Sequence, residues 1–340
     1  MSYKVTLAPF DVEFSCEEND TILEAAFKAG VALRHGCKHG GCGACKVKVL
    51  DGCVEHNDHA TAISEAEIDE DIALLCCSLP EEDVVIELND DYTLEELTPE
   101  FPVAEHPLTL AELTWVTHDI AHLVLTLPEG ECFGFRAGQY LEISLRGDEN
   151  FRSFSMANIS TDGGVELLIK LMPNGHFSRY LKDQACAGDA LTIRGPFGQF
   201  GISDTEAPMV MIAGGSGMAP IMSMLRQLKD EKSTRPIQFF YGARSQEDLF
   251  WVDQIKSFSL DLPNFEFIPA LSEEPSDSGW QGEKGLITDV VARRTVESLR
   301  GSEGYLCGPQ GMIDAAVDVL KSKGMFSARI RFDKFLISAD

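Results

Sequence analysis

Cys37-Lys38-His39-Gly40-Gly41-Cys42-Gly43-Ala44-Cys45 places three cysteines at the spacing Cys-x4-Cys-x2-Cys in a glycine-rich stretch, with Gly36 just ahead of it. Such a loop takes up positive φ angles, approaches a bound group closely with its backbone, and aims N–H groups at sulfur. Three thiols on one loop of this kind read as metal ligands rather than as packing residues.

Four-thiolate coordination needs one more cysteine, and Leu74-Leu75-Cys76-Cys77 offers two adjacent ones. Three ligands from one loop and a fourth from a distant segment is plant-type [2Fe–2S] spacing. A zinc site more often uses two Cys-x2-4-Cys pairs. The metal ligands are therefore Cys37, Cys42, Cys45 and one of Cys76 or Cys77. Lys38 and His39 are expected in solvent, within reach of a partner. Cys16, Cys53, Cys132 and Cys186 are expected to be small buried hydrophobes.

Working outward, strand patterns at 4–7, 12–15 and 46–50 flank a helix that starts at Asp20 or Thr21 and closes at Gly30. An acidic stretch with Pro99, Pro102 and Pro107 then reads as a linker. Short alternating runs at 108–115, 122–127, 140–145, 165–171 and 190–194 predict an antiparallel barrel or sandwich. Beyond residue 207 the style changes. Apolar strands at 209–212, 237–241, 265–269 and 304–307 alternate with helical patterns at 220–228, 289–298 and 312–321, the signature of a parallel α/β sheet.

Two further groups of motifs lie in these regions: Arg152-Ser153-Phe154-Ser155, and Gly214-Gly215-Ser216-Gly217-Met218-Ala219-Pro220 with Cys307-Gly308-Pro309-x2-Met312. The first resembles the Arg-x-Tyr-Ser flavin motif of the ferredoxin–NADP reductase superfamily, the second its nucleotide motifs. With a plant-type ferredoxin in front, nearly the whole chain resembles the reductase components of bacterial soluble di-iron monooxygenases, such as those of soluble methane monooxygenase and phenol hydroxylase. The resemblance implies a multidomain α+β and α/β fold. Its parts are a β-grasp ferredoxin domain (1–92), a linker (93–107), an antiparallel β-barrel FAD domain (108–203) and a parallel α/β NAD-binding domain (204–340).

The resemblance also implies residue roles. Cys76, which follows an apolar pair, is the fourth cluster ligand. Arg152 offers donors to the flavin pyrophosphate, Phe154 lies against the isoalloxazine with Phe in place of the usual Tyr, and Ser155 meets flavin N5. Gly175-His176-Phe177-Ser178 resembles the Gly-x-x-Ser segment that holds the pyrophosphate by backbone N–H groups, giving Gly175 and Ser178 as contacts. Lys170 is a further cofactor-binding candidate. Asp333-Lys334-Phe335 resembles Glu-Lys-Phe, so Phe335 stacks on the other flavin face. Gly214, Gly215, Gly217 and Pro220 form the turn that receives the nucleotide. Cys307, with Gly308 and Pro309, sits where nicotinamide meets flavin. Ser155, Cys307 and Phe335 are the catalytic candidates. The segment after 237–241 offers one cation, Arg244, beside Glu247 and Asp248, which favours NADH over NADPH because a 2′-phosphate needs several basic groups.

The expected chemistry is hydride transfer from NADH to FAD, then single-electron steps to the cluster and on to an oxygenase component. Alternatives are a reductase for a Rieske ring-hydroxylating dioxygenase or a stand-alone NADH–acceptor reductase. The flavin and nucleotide motifs speak against a non-enzymatic iron–sulfur sensor. A net charge of −27 argues against nucleic acid or an anionic membrane as partner. The charge is uneven, for residues 51–100 contain no Lys or Arg, which suits an acidic face for a basic partner. No apolar run is long enough to span a bilayer, and the first residues lack a signal-peptide pattern, so a cytoplasmic monomer in a transient electron-transfer complex is expected.

Overall fold

The computed structural model describes residues 2–35, 40–41, 43–89, 92–145, 151–173, 175–275 and 277–335. Gly36, Cys37, Lys38, His39 and Cys42 lie outside the described residues. The chain divides into two units, residues 1–105 with 194–198, and residues 106–193 with 199–340.

The first unit opens with the hairpin β1 (Ser2–Ala8) and β2 (Val12–Glu17), in which Val5 faces Phe14. The period-2 alternation sends Val5, Leu7 and Phe14 inward. Helix α1 (Ile22–Lys28) starts where Thr21 accepts a hydrogen bond from the Glu24 N–H, and it buries Ile22, Leu23, Ala25, Ala26 and Phe27. Then come β3 (Lys46–Asp51), β4 (Val54–His56), α2 (Glu65–Asp69), β5 (Ile72–Leu74), β6 (Ser78–Pro80), β7 (Val84–Glu87) and α3 (Leu94–Leu97). The main sheet has the order β2-β1-β7-β3-β5, with β1 and β7 parallel and the other recorded pairs antiparallel. This is a β-grasp arrangement, a mixed sheet with its helix connecting the first hairpin to the rest.

The stretch read as a linker carries structure of its own. Thr93 and Glu96 form a reciprocal capping box at the start of α3, and Leu97 is fully buried. Arg34 holds this turn, with its guanidinium 4.3 Å from the Tyr92 ring centre and 2.9 Å from the Glu96 carboxylate. One expectation for the cysteines needs correcting. Cys16 is buried, but Cys53, Cys132 and Cys186 are exposed, each lying in a turn or loop outside the strands and helices.

A six-stranded sheet follows, built from β8 (Ala104–Trp115), β9 (Ile120–Thr126), β10 (Tyr140–Leu145), β11 (Arg152–Ser155), β12 (Gly164–Lys170) and β13 (Ala190–Phe197), with α4 (His176–Asp183) before β13. The order is β11-β10-β13-β8-β9-β12. An antiparallel bridge from Met156 to Leu167 brings the two ends of that order together, giving a nearly closed barrel. Its core holds Leu123, Leu125, Leu141, Ile143, Val165, Leu167 and Ile193, all from alternating inward positions.

The nucleotide half follows as β14 (Met209–Gly214), α5 (Met218–Asp230), β15 (Ile237–Ala243), α6 (Val252–Ser257), β16 (Phe265–Leu271), β17 (Glu283–Lys284), α7 (Ile287–Arg294), β18 (Glu303–Pro309), α8 (Gln310–Ser322) and β19 (Ile330–Phe335). Its strands pair in parallel in the order β17-β16-β15-β14-β18-β19. β14 is buried along its whole length, as a strand covered on both faces must be. The chain leaves β14 toward β15 on one side and returns with β18 on the other. The topological switch point of the sheet therefore lies between β14 and β18, and ligands of open α/β sheets bind at the carboxyl ends of strands at such points.

Candidate functional site

Cys45 ends the glycine-rich loop and Cys76 lies in the turn between β5 and β6. Both are buried, and the Leu75 N–H donates to the Cys45 carbonyl at 3.2 Å, tying the two segments together. Hydrogen bonding with Cys76 and burial push the Cys45 thiol well above its ordinary pKa. A bound metal ion would take both sulfurs as thiolates. Gly40 and Gly43 have φ of +77° and +72°. A Cβ on Gly40 would stand 1.9 Å from the His59 carbonyl oxygen and 2.9 Å from Cys77 Sγ, so only glycine fits there. This donor set, all soft sulfur on a positive-φ cradle, fits a thiolate-bound iron–sulfur cluster. Of the sequence candidates, the structure brings Cys45 and Cys76 together, while Cys37 and Cys42 fall outside the described residues.

At the flavin end, β10 and β11 pair so that Tyr140 faces Ser155 and Ile143 faces Arg152. Strand alternation puts Arg152 and Phe154 on one face, a cation two residues from an aromatic ring. The Phe154 ring lies 5.3 Å from that of Phe177 in α4. Arg152 Nη1 donates to the Phe151 carbonyl at 3.1 Å. Gly175 caps α4 with no side-chain cap hydrogen bond, at the kind of helix N-terminus that receives anions. The Ser178 hydroxyl instead accepts from the Met172 N–H at 2.8 Å and shapes its own loop. Lys170 at the end of β12 pairs with Asp119 at 3.0 Å.

Ser155 is buried and its hydroxyl donates to Asp333 Oδ2 at 3.4 Å. Asp333 in β19 is in turn the cross-strand partner of Cys307 in β18, and Phe335 partners Pro309. Burial raises the Asp333 carboxyl pKa against the pull of the Ser155 hydrogen bond. Cys307 is fully buried, and desolvation, helped by the Asp333 charge, holds it as a thiol. The sequence left the acid of Asp-Lys-Phe without a role, and its contact with Ser155 supplies one.

The two nucleotide motifs interlock. A Cβ on Gly217 would stand 2.3 Å from the Cys307 carbonyl oxygen, and one on Gly214 would stand 2.8 Å from Met312 Sδ. Pro220 sits in the first turn of α5, where its missing N–H deprives no helical carbonyl of a partner. Arg244, at the end of β15, pairs with Asp248 at 3.0 Å and lies 3.9 Å from Asp119. The lone cation of this segment thus stands between two carboxylates, a poor setting for a second phosphate.

Comparison with known proteins adds three family matches along the chain. These are a 2Fe-2S iron-sulfur cluster binding domain over residues 5–81, an oxidoreductase FAD-binding domain over 107–202 and an oxidoreductase NAD-binding domain over 211–318. The chain is 40% identical to the reductase component of propane 2-monooxygenase from Rhodococcus jostii over 98% of its length and 91% of the relative's. It is 35% identical to the reductase component of phenol 2-monooxygenase from a Pseudomonas species, over 100% and 96% of the two chains. Among solved structures, the cytochrome P450 reductase GcoB of Amycolatopsis superposes with a TM-score of 0.86 at 31% identity, covering 98% of each chain.

Proposed function

The chain belongs to the reductase components of multicomponent monooxygenases, iron–sulfur flavoproteins of the ferredoxin–NADP reductase superfamily, and from that membership we propose that it delivers electrons from NADH to the di-iron hydroxylase of such a system. Bound, the flavin converts a two-electron hydride donor into the single electrons that an iron–sulfur centre carries. The chain's own residues bind, orient and shield. The turn Gly214–Gly217 and the N-terminus of α5 receive the nucleotide at the switch point of the sheet. Arg152 and the N-terminus of α4 hold the flavin pyrophosphate, Phe154 and Phe335 flank its ring, and Ser155 is held in place by Asp333. Cys37, Cys42, Cys45 and Cys76 ligate the iron. The family matches at 5–81, 107–202 and 211–318 support a division into modules at 1–92, 108–203 and 204–340, with 93–107 between them.

The observation that carries the flavin–nicotinamide reading is the meeting of Ser155, Asp333 and Cys307. A flavin-motif hydroxyl, a C-terminal acid and a nucleotide-motif thiol converge where β11, β19 and β18 come together. The choice of acceptor rests on sequence likeness to monooxygenase reductases, since the same fold also serves a cytochrome P450 in Amycolatopsis. The rest of the proposal is a monomer acting in the cytoplasm through transient contacts. Among the described residues, no helix is long and apolar enough to cross a membrane.

The deciding experiment uses the protein as bait in native cell extract, with EPR on the recovered partner before and after reduction. A partner that is silent as isolated and gives a mixed-valence di-iron signal on partial reduction supports the reading. A Rieske-type signal overturns it in favour of a ring-hydroxylating dioxygenase.

A further inference from the structure

The turn from Leu74 to Cys77 carries two adjacent thiols, and four-ligand coordination uses only one. Hydrogen bonds fix the turn on every side. The Leu74 carbonyl accepts from the Cys77 N–H at 2.7 Å and from the Ser78 hydroxyl at 2.9 Å, while the Leu74 N–H donates to His56 Nε2 at 3.1 Å. The Asn57 N–H donates to the Cys77 carbonyl at 2.9 Å. Consecutive residues of a strand would point their side chains to opposite faces. Here the turn leaves the Cys76 and Cys77 sulfurs 3.7 Å apart, with Cys77 only 1% exposed. The Cys77 sulfur also lies against Gly40 of the ligand loop, since a Cβ on Gly40 would come within 2.9 Å of it.

We propose that Cys77 tunes the [2Fe–2S] centre by donating an S–H···S hydrogen bond to the Cys76 sulfur. The direction follows from chemistry and rests on the reading of Cys76 as the fourth ligand. A cysteine bound to iron has given up its proton and only accepts. Cys77, 3.7 Å away, is the thiol placed to supply the S–H to that acceptor. A hydrogen bond to a ligand sulfur draws off negative charge, which favours the reduced and more negative state of the centre, so the potential rises.

The test is a redox titration of purified holoprotein followed by EPR, comparing wild type with Cys77→Ala and Cys77→Ser. Cys77→Ala is expected to retain iron and the reduced-cluster signal while lowering the equilibrium constant for reduction roughly tenfold, a shift of about −59 mV for a one-electron centre. Cys77→Ser, whose hydroxyl is the stronger donor, is expected to restore the potential or exceed it. Should Cys77→Ala fail to hold iron, Cys77→Val fills the same space without a donor and takes its place in the comparison. A cluster that keeps the wild-type potential in the Ala or Val variant overturns the proposal. Loss of the cluster in both Cys77→Ala and Cys77→Val, with retention in Cys76→Ala, overturns it differently, by making Cys77 the ligand. A wild-type protein with no reduced [2Fe–2S] signal would sink the functional reading itself.

Discussion

The Ser155 hydroxyl donates to Asp333 Oδ2 at 3.4 Å across 178 positions of sequence, and that one contact joins the flavin barrel to the last strand of the nucleotide sheet. It holds a side chain from the flavin motif in a single orientation and gives a buried acid its partner.

Removing either end should show in the reductive half-reaction alone. A hydrogen bond to an acidic group is worth about 1.5–3 kcal/mol, and at this length the lower figure applies. Ser155→Ala and Asp333→Asn should each slow flavin bleaching by NADH roughly tenfold in stopped-flow absorbance. The cluster's visible spectrum should stay unchanged. Bleaching at the wild-type rate in both variants would refute the role given to the pair.

Gly217→Ala should separate nucleotide binding from the other functions. The added Cβ meets the Cys307 carbonyl oxygen at 2.3 Å, and overpacking of a fixed backbone costs roughly 1–3 kcal/mol. The variant is expected to hold flavin and iron, to reduce normally with dithionite, and to lose roughly tenfold or more in affinity for NADH. Titration of flavin fluorescence with the nucleotide measures the loss.

Gly40→Ala should act on the metal site alone. Its backbone has φ of +77° and no room beside His59. Iron content and visible absorbance should fall, while flavin content and flavin reduction by NADH stay near wild type.

Glu166 on β12 gives a pH prediction. Burial alone would raise its pKa, but hydrogen bonds from His122 and Arg226 hold it down at about 2. The carboxylate is bonded to Arg226 at 2.9 and 3.0 Å and to His122 at 3.1 Å. A carboxyl with a depressed folded pKa stabilises the protein above its ordinary value of 4.5, and the contribution fades as pH falls toward 2. Glu166→Gln should therefore cost about 2–3 kcal/mol at neutral pH in urea denaturation followed by circular dichroism. The gap from wild type should narrow below pH 4.5. A constant gap across that range would show that the side chain acts by packing alone.

Electron delivery should depend on salt where internal transfer does not. Residues 1–100 hold 23 acids against 6 bases. Charges on such a surface steer a basic partner only within a screening length of about 10 Å at 0.1 M salt. Reduction of the hydroxylase should slow as salt rises, while reduction of the flavin by NADH in the same samples stays constant.

Much of this was readable from the chain. The Cys-x4-Cys-x2-Cys spacing names the cluster, the alternating runs narrow the middle region to an antiparallel barrel or sandwich, and an all-apolar stretch before a glycine turn names β14. What could not be read has physical reasons. β4 and β6 have three residues each, too short to show a period. The Thr93-x-x-Glu96 capping box was present in the sequence but hidden within an acidic, proline-marked stretch. Residue type alone places Cys53, Cys132 and Cys186 in the core, yet Cys53 follows Gly52 in a turn, where no strand or helix carries it inward. No local pattern relates Asp333 to Ser155, 178 positions away. That pairing exists only once barrel and sheet have both formed.

The interlocked glycines set a rule for anyone exchanging parts between reductases of this kind. Gly217 and the backbone of Cys307–Gly308 occupy one shared space, as do Gly214 and Met312, although some ninety positions separate the two motifs. A graft that imports one turn without its counterpart risks putting a methyl group inside a peptide plane. The two nucleotide-binding turns of this scaffold therefore travel as a matched pair, and the piece that keeps both together runs from β14 through α8.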